Sequence, residues 1–148
     1  SVIDQRTLHE FYLLPFEMAI KNSKPMMVMS SYNKVNGDYA GESSELLQDI
    51  LRKKWDYQGT VVSDWGGVQN KVKSIRNGMN VEMPGPSEFH DEIVKALDDG
   101  TLKISELDNS LAPLLRLSSI LSSNKNKGKI SVNTDKNGKK SGARKGKT

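Results

Sequence analysis

The sequence predicts an α/β fold organised on a parallel sheet, and three observations carry that expectation. Three short apolar or β-forming runs, at residues 26–31, 60–63 and 79–82, alternate with stretches of helical periodicity. The spacers between the runs are much longer than a hairpin turn, so the strands must be joined by crossovers and run parallel. Each run passes, at its C-terminal end, into a distinctive motif.

Taken in order, Asp4 or Thr7 is placed to cap a first helix. The apolar positions Leu8, Phe11, Tyr12, Phe16, Ala19 and Ile20 recur at helical spacing. Pro15 falls inside the pattern and is expected to kink the helix or shift its hydrogen bonding. Asn22-Ser23-Lys24-Pro25 breaks the chain, and residues 26–31 read as a strand buried on both faces. Residues 33–43 read as a loop, with Asn36-Gly37 as a strong turn signal.

A second helix is expected over residues 44–54, with Leu46, Leu47, Ile50 and Leu51 facing inward. Asp56-Tyr57-Gln58-Gly59 turns into the strand 60–63. A third helix over 68–76 closes at Asn77-Gly78. The strand 79–82 is followed by Pro84-Gly85-Pro86. Ser87 caps a helix over 88–98 that ends at Gly100, and a last helix runs over 105–121 with Pro113 as a kink.

Length fits one domain: the chain has 148 residues. It contains no cysteine, which excludes disulfides and thiolate metal sites. No window has the apolar run of a membrane span, so no membrane partner is expected. No basic-then-apolar leader opens the sequence, and no compartment is assigned.

The net charge of +4 is unevenly spread. From residue 124 onward eight Lys and one Arg stand against one Asp, a net of +8, which leaves −4 for the first 123 residues. The division expected is therefore a folded domain at 1–123 and a Lys-rich tail at 124–148. The tail is expected to be disordered, because it has too few apolar residues to offset its ordering entropy. No aromatic residue interleaves its lysines for base stacking. It reads as a solubilising or linker segment, with no nucleic-acid partner.

The most informative run is Val61-Val62-Ser63-Asp64-Trp65-Gly66, where β-formers deliver a carboxylate and an indole to a strand tip. Such an acid can attack an anomeric carbon while the indole stacks on a pyranose. It can equally cap the following helix, and the run by itself does not separate the two. Val28-Met29-Ser30-Ser31-Tyr32-Asn33-Lys34-Val35-Asn36-Gly37 lies upstream and Glu82-Met83-Pro84-Gly85 downstream. In this order the three motifs resemble the second half of the catalytic barrel of family-3 glycoside hydrolases, the β-glucosidase group. The resemblance covers roughly residues 1–120 and takes in Arg6-Thr7-Leu8, Leu14-Pro15-Phe16, the run from Leu47 to Arg52, Trp55 and Gly59.

The resemblance implies a partial TIM-like (β/α)8 barrel, about its last three strands and their helices, with site groups at the strands' C-terminal ends. It implies a retaining, exo-acting β-glycosidase acting on terminal β-linked sugars, with no cofactor and no metal. Asp64 would be the nucleophile that forms a glycosyl-enzyme. Trp65 would pack against the sugar, and Met29 and Tyr32 would line the pocket. Glu82 is placed by the resemblance as a structural residue.

His9 and His90 have no partner at ligand spacing and read as surface or satisfied histidines. A full barrel needs about 250 residues. The chain therefore reads as a fragment whose partners are a carbohydrate substrate, the missing barrel half and a sandwich domain supplying the acid/base. The alternative is an inactive barrel fragment acting as a basic-tailed binding module. Two places depart from the family pattern: Asn77-Gly78-Met79-Asn80 replaces the usual Ala-Gly-Leu-Asp, and Pro113 replaces an Arg-containing helical turn.

Overall fold

A computed structural model describes residues 2–85 and 89–125. The expected Ser87 cap and the tail from residue 126 lie outside the described residues. Helix α1 (residues 5–23) starts at Asp4, whose carboxylate accepts from the Thr7 N–H at 2.9 Å. Its winding is α over Gln5–Thr7, widens to π over Leu8–Leu13, and returns to α over Leu14–Ser23. Pro15 explains the change. It has no N–H to donate, and its ring would strike the carbonyl four residues back in an unbroken α-helix. The widened stretch ends just before it, leaving Pro15 in the first turn of the next segment, where an N–H is spare anyway.

Strand β1 (Met27–Met29) pairs in parallel with β4 (Thr60–Val62), with Met27 opposite Thr60, Val28 opposite Val61 and Met29 opposite Val62. The third expected strand is reduced to one parallel bridge, Val62 to Val81. It still runs beside β4: Ser63 N–H donates to Val81 O at 2.9 Å and Val81 N–H to Val61 O at 3.1 Å. The parallel order therefore holds, but residues 79–83 are fastened as much by side chains as by a ladder.

The expectation that β1 is buried on both faces does not hold. Val28 is half-buried on the core side, whereas Met27 and Met29 are exposed. Their face of the sheet has no covering layer among the described residues. The α1 stretch is helical as its spacing indicates, with Leu8 and Ile20 buried and Phe11, Tyr12 and Phe16 exposed.

The loop expected at 33–43 contains a small hairpin, β2 (Lys34–Val35) and β3 (Asp38–Tyr39). Its two turn residues, Asn36 and Gly37, both have positive φ, as a tight hairpin needs. A 3-10 turn, Ala40–Glu42, follows. Helix α2 (Glu45–Lys54) is π-wound and buries Leu47, Ile50 and Leu51. Helix α3 (Lys71–Arg76) begins three residues later than its sequence indicates, because the Asn70 side chain caps it by accepting from Lys73 N–H at 2.8 Å. Helix α4 (Phe89–Asp98) and the long α5 (Ile104–Lys125) complete the fold, and α5 continues through the buried Pro113.

The core joins Ile20 of α1, four residues of the α2 region (Leu47, Ile50, Leu51, Trp55), Tyr57, Val61 of β4, Val68 and Met79. A polar node ties its layers. Arg52 on α2 donates to Tyr57 O at 2.9 Å, to Gly59 O at 2.6 Å and to Asn80 Oδ1 at 2.9 Å. Asn80 Oδ1 also accepts from Val61 N–H at 2.7 Å, while Asn80 Nδ2 donates to Ser110 O on α5 at 2.7 Å. An Asp at 80, usual in the resemblance, has no proton for that last bond.

Arg52→Met should strand two strand-entry carbonyls and leave the Asn80 side-chain oxygen with one donor, Val61 N–H. The expected cost is about 3 kcal/mol of stability, read as a lower urea midpoint with unchanged slope.

Burial pushes the Tyr57 hydroxyl up to about 12 from an ordinary 10.0, and the Arg52 guanidinium, 5.3 Å from the ring centre, opposes this only in part. The folded protein thus holds this proton longer than the unfolded chain. Tyr57's contribution is complete below pH 10 and is lost as pH rises towards about 12. Stability should fall across that window, and Tyr57→Phe should flatten the fall in pH-dependent urea titrations.

Candidate active site

The three parallel segments bring their C-terminal ends together. Asp64 follows β4 by two residues, and its N–H donates to Ser30 O at the end of β1, at 3.1 Å. Ser63 Oγ accepts from Met83 N–H at 2.8 Å, and Gly66 N–H donates to Met83 O at 3.3 Å. The loop that carries Asp64 and Trp65 is thus sewn to both neighbours. β-Branched residues make β4, and Ser63 ends it by directing its hydroxyl sideways to the 83 backbone instead of extending the ladder.

Asp64 is half-buried, and its Oδ1 accepts from Trp65 N–H at 2.6 Å. Trp65 is 64% exposed and Tyr32 62% exposed. Tyr32 belongs to the same rim: a β-carbon added at Gly67 would lie 3.5 Å from Tyr32 Cα and 3.1 Å from Asp64 O. Met29 ends β1, at 61% exposure. It lines a mainly apolar cavity of about 270 Å³ between α1, β1 and α2, whose walls include none of Tyr32, Asp64 and Trp65. The structure therefore groups Asp64, Trp65 and Tyr32 on one open rim, and Met29 stands exposed at the end of the neighbouring strand β1.

Two further carboxylates belong to the neighbouring loops, and both are engaged. Glu82 binds Lys71 through both oxygens, the Oε2 contact being 2.6 Å, and Lys71 is only 6% exposed. Glu42 is 4% exposed and accepts from the N–H groups of Gln69 at 2.5 Å and Asn70 at 2.7 Å. Sequence reasoning did not single out Glu42, because an acid between a turn and a helix normally faces water.

His9 Nδ1 lies 3.5 Å from Lys54 Nζ, and His90 is exposed. Among the described residues no three His, Cys, Asp or Glu side chains are arranged to hold a metal ion. No described helix is long and apolar enough to cross a membrane.

An acid and an indole thus stand at the tip of a parallel strand in a βα-type chain. The family model described as "Glycosyl hydrolase family 3 N terminal domain" matches residues 2–117, and the chain belongs to that family. It is 39% identical over 118 residues to "Probable beta-glucosidase J" of Emericella nidulans, covering 79% of this chain and 14% of that protein. It is 38% identical to "Thermostable beta-glucosidase B" of Acetivibrio thermocellus, covering 79% and 16%.

Among solved structures, the family-3 β-glucosidase of Bifidobacterium adolescentis superposes with a TM-score of 0.79 at 36% identity, over 91% of this chain and 20% of that one. The β-glucosidase of Kluyveromyces marxianus in complex with glucose gives 0.81 at 33% identity, over 86% and 16%. The chain thus spans only about one-seventh of the length of the curated relatives it matches.

The two tryptophans differ sharply in environment, since Trp55 is 7% exposed. Iodide should quench Trp65 emission selectively, and Trp65→Phe should remove nearly all the quenchable signal. Equal quenching in both proteins would contradict the exposed rim.

Proposed function

We propose that this chain supplies the nucleophile side of a retaining β-glucosidase. The observation that carries this is the placement of Asp64 and Trp65 at the tip of β4, stitched to the ends of β1 and of residues 79–83, in a chain of glycosyl hydrolase family 3. The relatives named above include β-glucosidases, one of them solved with glucose. The substrate proposed is a terminal β-linked glucoside.

An Asp64 carboxylate oxygen attacks the anomeric carbon, and the bond from that carbon to the leaving oxygen breaks. The leaving oxygen takes a proton from a general acid, and water activated by the same group then releases the sugar with retained configuration. The two carboxyls of a retaining pair stand about 5–5.5 Å apart. Trp65 offers a flat apolar face to the C–H side of the pyranose and an N–H to a hydroxyl. Tyr32 lies beside the same loop. Met29, exposed at the end of β1, lines the same pocket in this reading.

The acid/base comes from polypeptide outside this chain, in a sandwich domain, and the chain is the latter half of a (β/α)8 barrel. Two facts favour this. Glu42 and Glu82 are both committed to internal bonds. The Met27/Met29 face of β1 and the Phe11, Phe16 and Met18 side chains of α1 are exposed, which suits burial against further strands and helices.

Dinitrophenyl 2-deoxy-2-fluoro-β-glucoside needs no acid catalysis to depart. Given in excess to the full chain, it should add one fluoroglucosyl group to Asp64, as read by intact mass and peptide mapping, and Asp64→Asn should show none. Alkyl glucosides should not turn over measurably, because the missing acid alone is worth about 10²–10⁴-fold. Labelling at another carboxylate would overturn Asp64 as the nucleophile. Brisk alkyl glucoside hydrolysis by this chain would overturn the need for an outside acid.

A further inference from the structure

We infer that Glu42 is a positioning residue for the loop that carries Asp64 and Trp65, with Gly41 making room for it. The inference rests on the reading of Asp64 as the nucleophile, but its geometry stands apart from that reading.

The near end of the 64–70 loop is fixed by the sheet, through Asp64 N–H to Ser30 O and Gly66 N–H to Met83 O. Its far end has left the sheet and not yet entered α3. There the N–H groups of Gln69 and Asn70 point inward, and the Glu42 carboxylate takes both on one oxygen. Glu42 is itself held from behind, because Asn77 Nδ2 donates to its main-chain oxygen at 2.7 Å.

The neighbouring position must be small. A β-carbon added at Gly41 would stand 3.2 Å from Gly67 O, 3.2 Å from Ser30 Oγ and 3.0 Å from Met79 Cε. The turn of residues 40–42 thus lies directly against the loop. Burying a carboxylate costs free energy unless its hydrogen bonds return it. Here the bonds go to the backbone of the loop that presents Asp64 and Trp65.

The test uses Glu42→Leu and Glu42→Gln in the full chain. Gln keeps the accepting oxygen, and Leu keeps only the volume. In Glu42→Leu, hydrogen exchange at the Gln69 and Asn70 amides should speed by roughly 10-fold or more, with protection at Val61 and Leu51 retained. Iodide quenching of Trp65 should change, and fluoroglucosyl labelling of Asp64 should slow by roughly 10- to 100-fold. Glu42→Gln should restore all three to near the parent.

If Glu42→Leu does not fold, Glu42→Asp keeps the charge one methylene short of its partners and carries the same expectations. Unchanged exchange at Gln69 and Asn70 overturns the inference, as does labelling at the parent rate in a loosened loop. If the parent is not labelled at Asp64, the glycosidase reading fails, and the exchange and quenching results still decide whether Glu42 holds the loop.

Discussion

The arrangement depends most on the half-buried Arg52 guanidinium, which lies where three layers meet. It reaches from α2 to the carbonyls that precede β4 and to Asn80, and Asn80 in turn holds Val61 of β4 and Ser110 of α5. Without it, the carbonyls of Tyr57 and Gly59 at the entry to β4 would lose their side-chain donor, and Asn80 would lose its tie to α2. Ser110 Oγ donates to Met79 O at 2.6 Å, so α5 fastens the same segment twice. This explains how residues 79–83 stay parallel to β4 with a single backbone bridge. Their register is set by side chains, and a long ladder is not required.

That fixed entry determines what happens at the opposite end of the strand. Once β4 is locked at Gly59 and Val61, the pleat carries Ser63 into the interior and Asp64 to the rim. The two functions of the strand are then divided between its ends: bonds at the N-terminal end hold it, and the loop at the C-terminal end displays the acid and the indole. Glu42 and Met83 O secure that loop from outside the strand. The loop is therefore ordered by its neighbours and exposed to solvent at once, which suits the substrate contact proposed for it.

The sequence made the order of elements legible, because helical and strand periods survive even in a small sheet. The Asp4 cap, the Asn36-Gly37 turn, the buried face of α2 and the parallel crossovers follow from local chemistry alone. Burial did not follow. Met27 and Met29 read as core because they lie in an apolar strand run, yet burial also needs a second surface to pack against, and an apolar run does not report one. The start of α3 was displaced because Asn70 competes with Val68 for the first turn, and a cap outweighs an apolar position. Asp64 and Trp65 stood out because polar residues at a strand tip break the apolar run. Glu42 did not, because its two partners lie 27 and 28 residues away and leave no local spacing to detect.

In the proposed function, the exposed apolar side chains and the acid supplied from outside this chain are two aspects of one requirement. A parallel sheet is stable when helices or further strands cover both faces. Here the core is gathered on the side of α1 and α2, while the Met27 and Met29 side of β1 faces outward. A retaining glycosidase likewise needs a carboxyl on each side of the scissile bond. In the proposed function Asp64 stands on one side, while Glu42 and Glu82 of the adjoining loops are tied up in holding structure. A single additional body of polypeptide, packed on the β1 side and reaching over the rim, would cover the apolar face and bring the second carboxyl. Folding and chemistry would then be completed by the same contact, and the short sheet would become more stable in the state in which it can act.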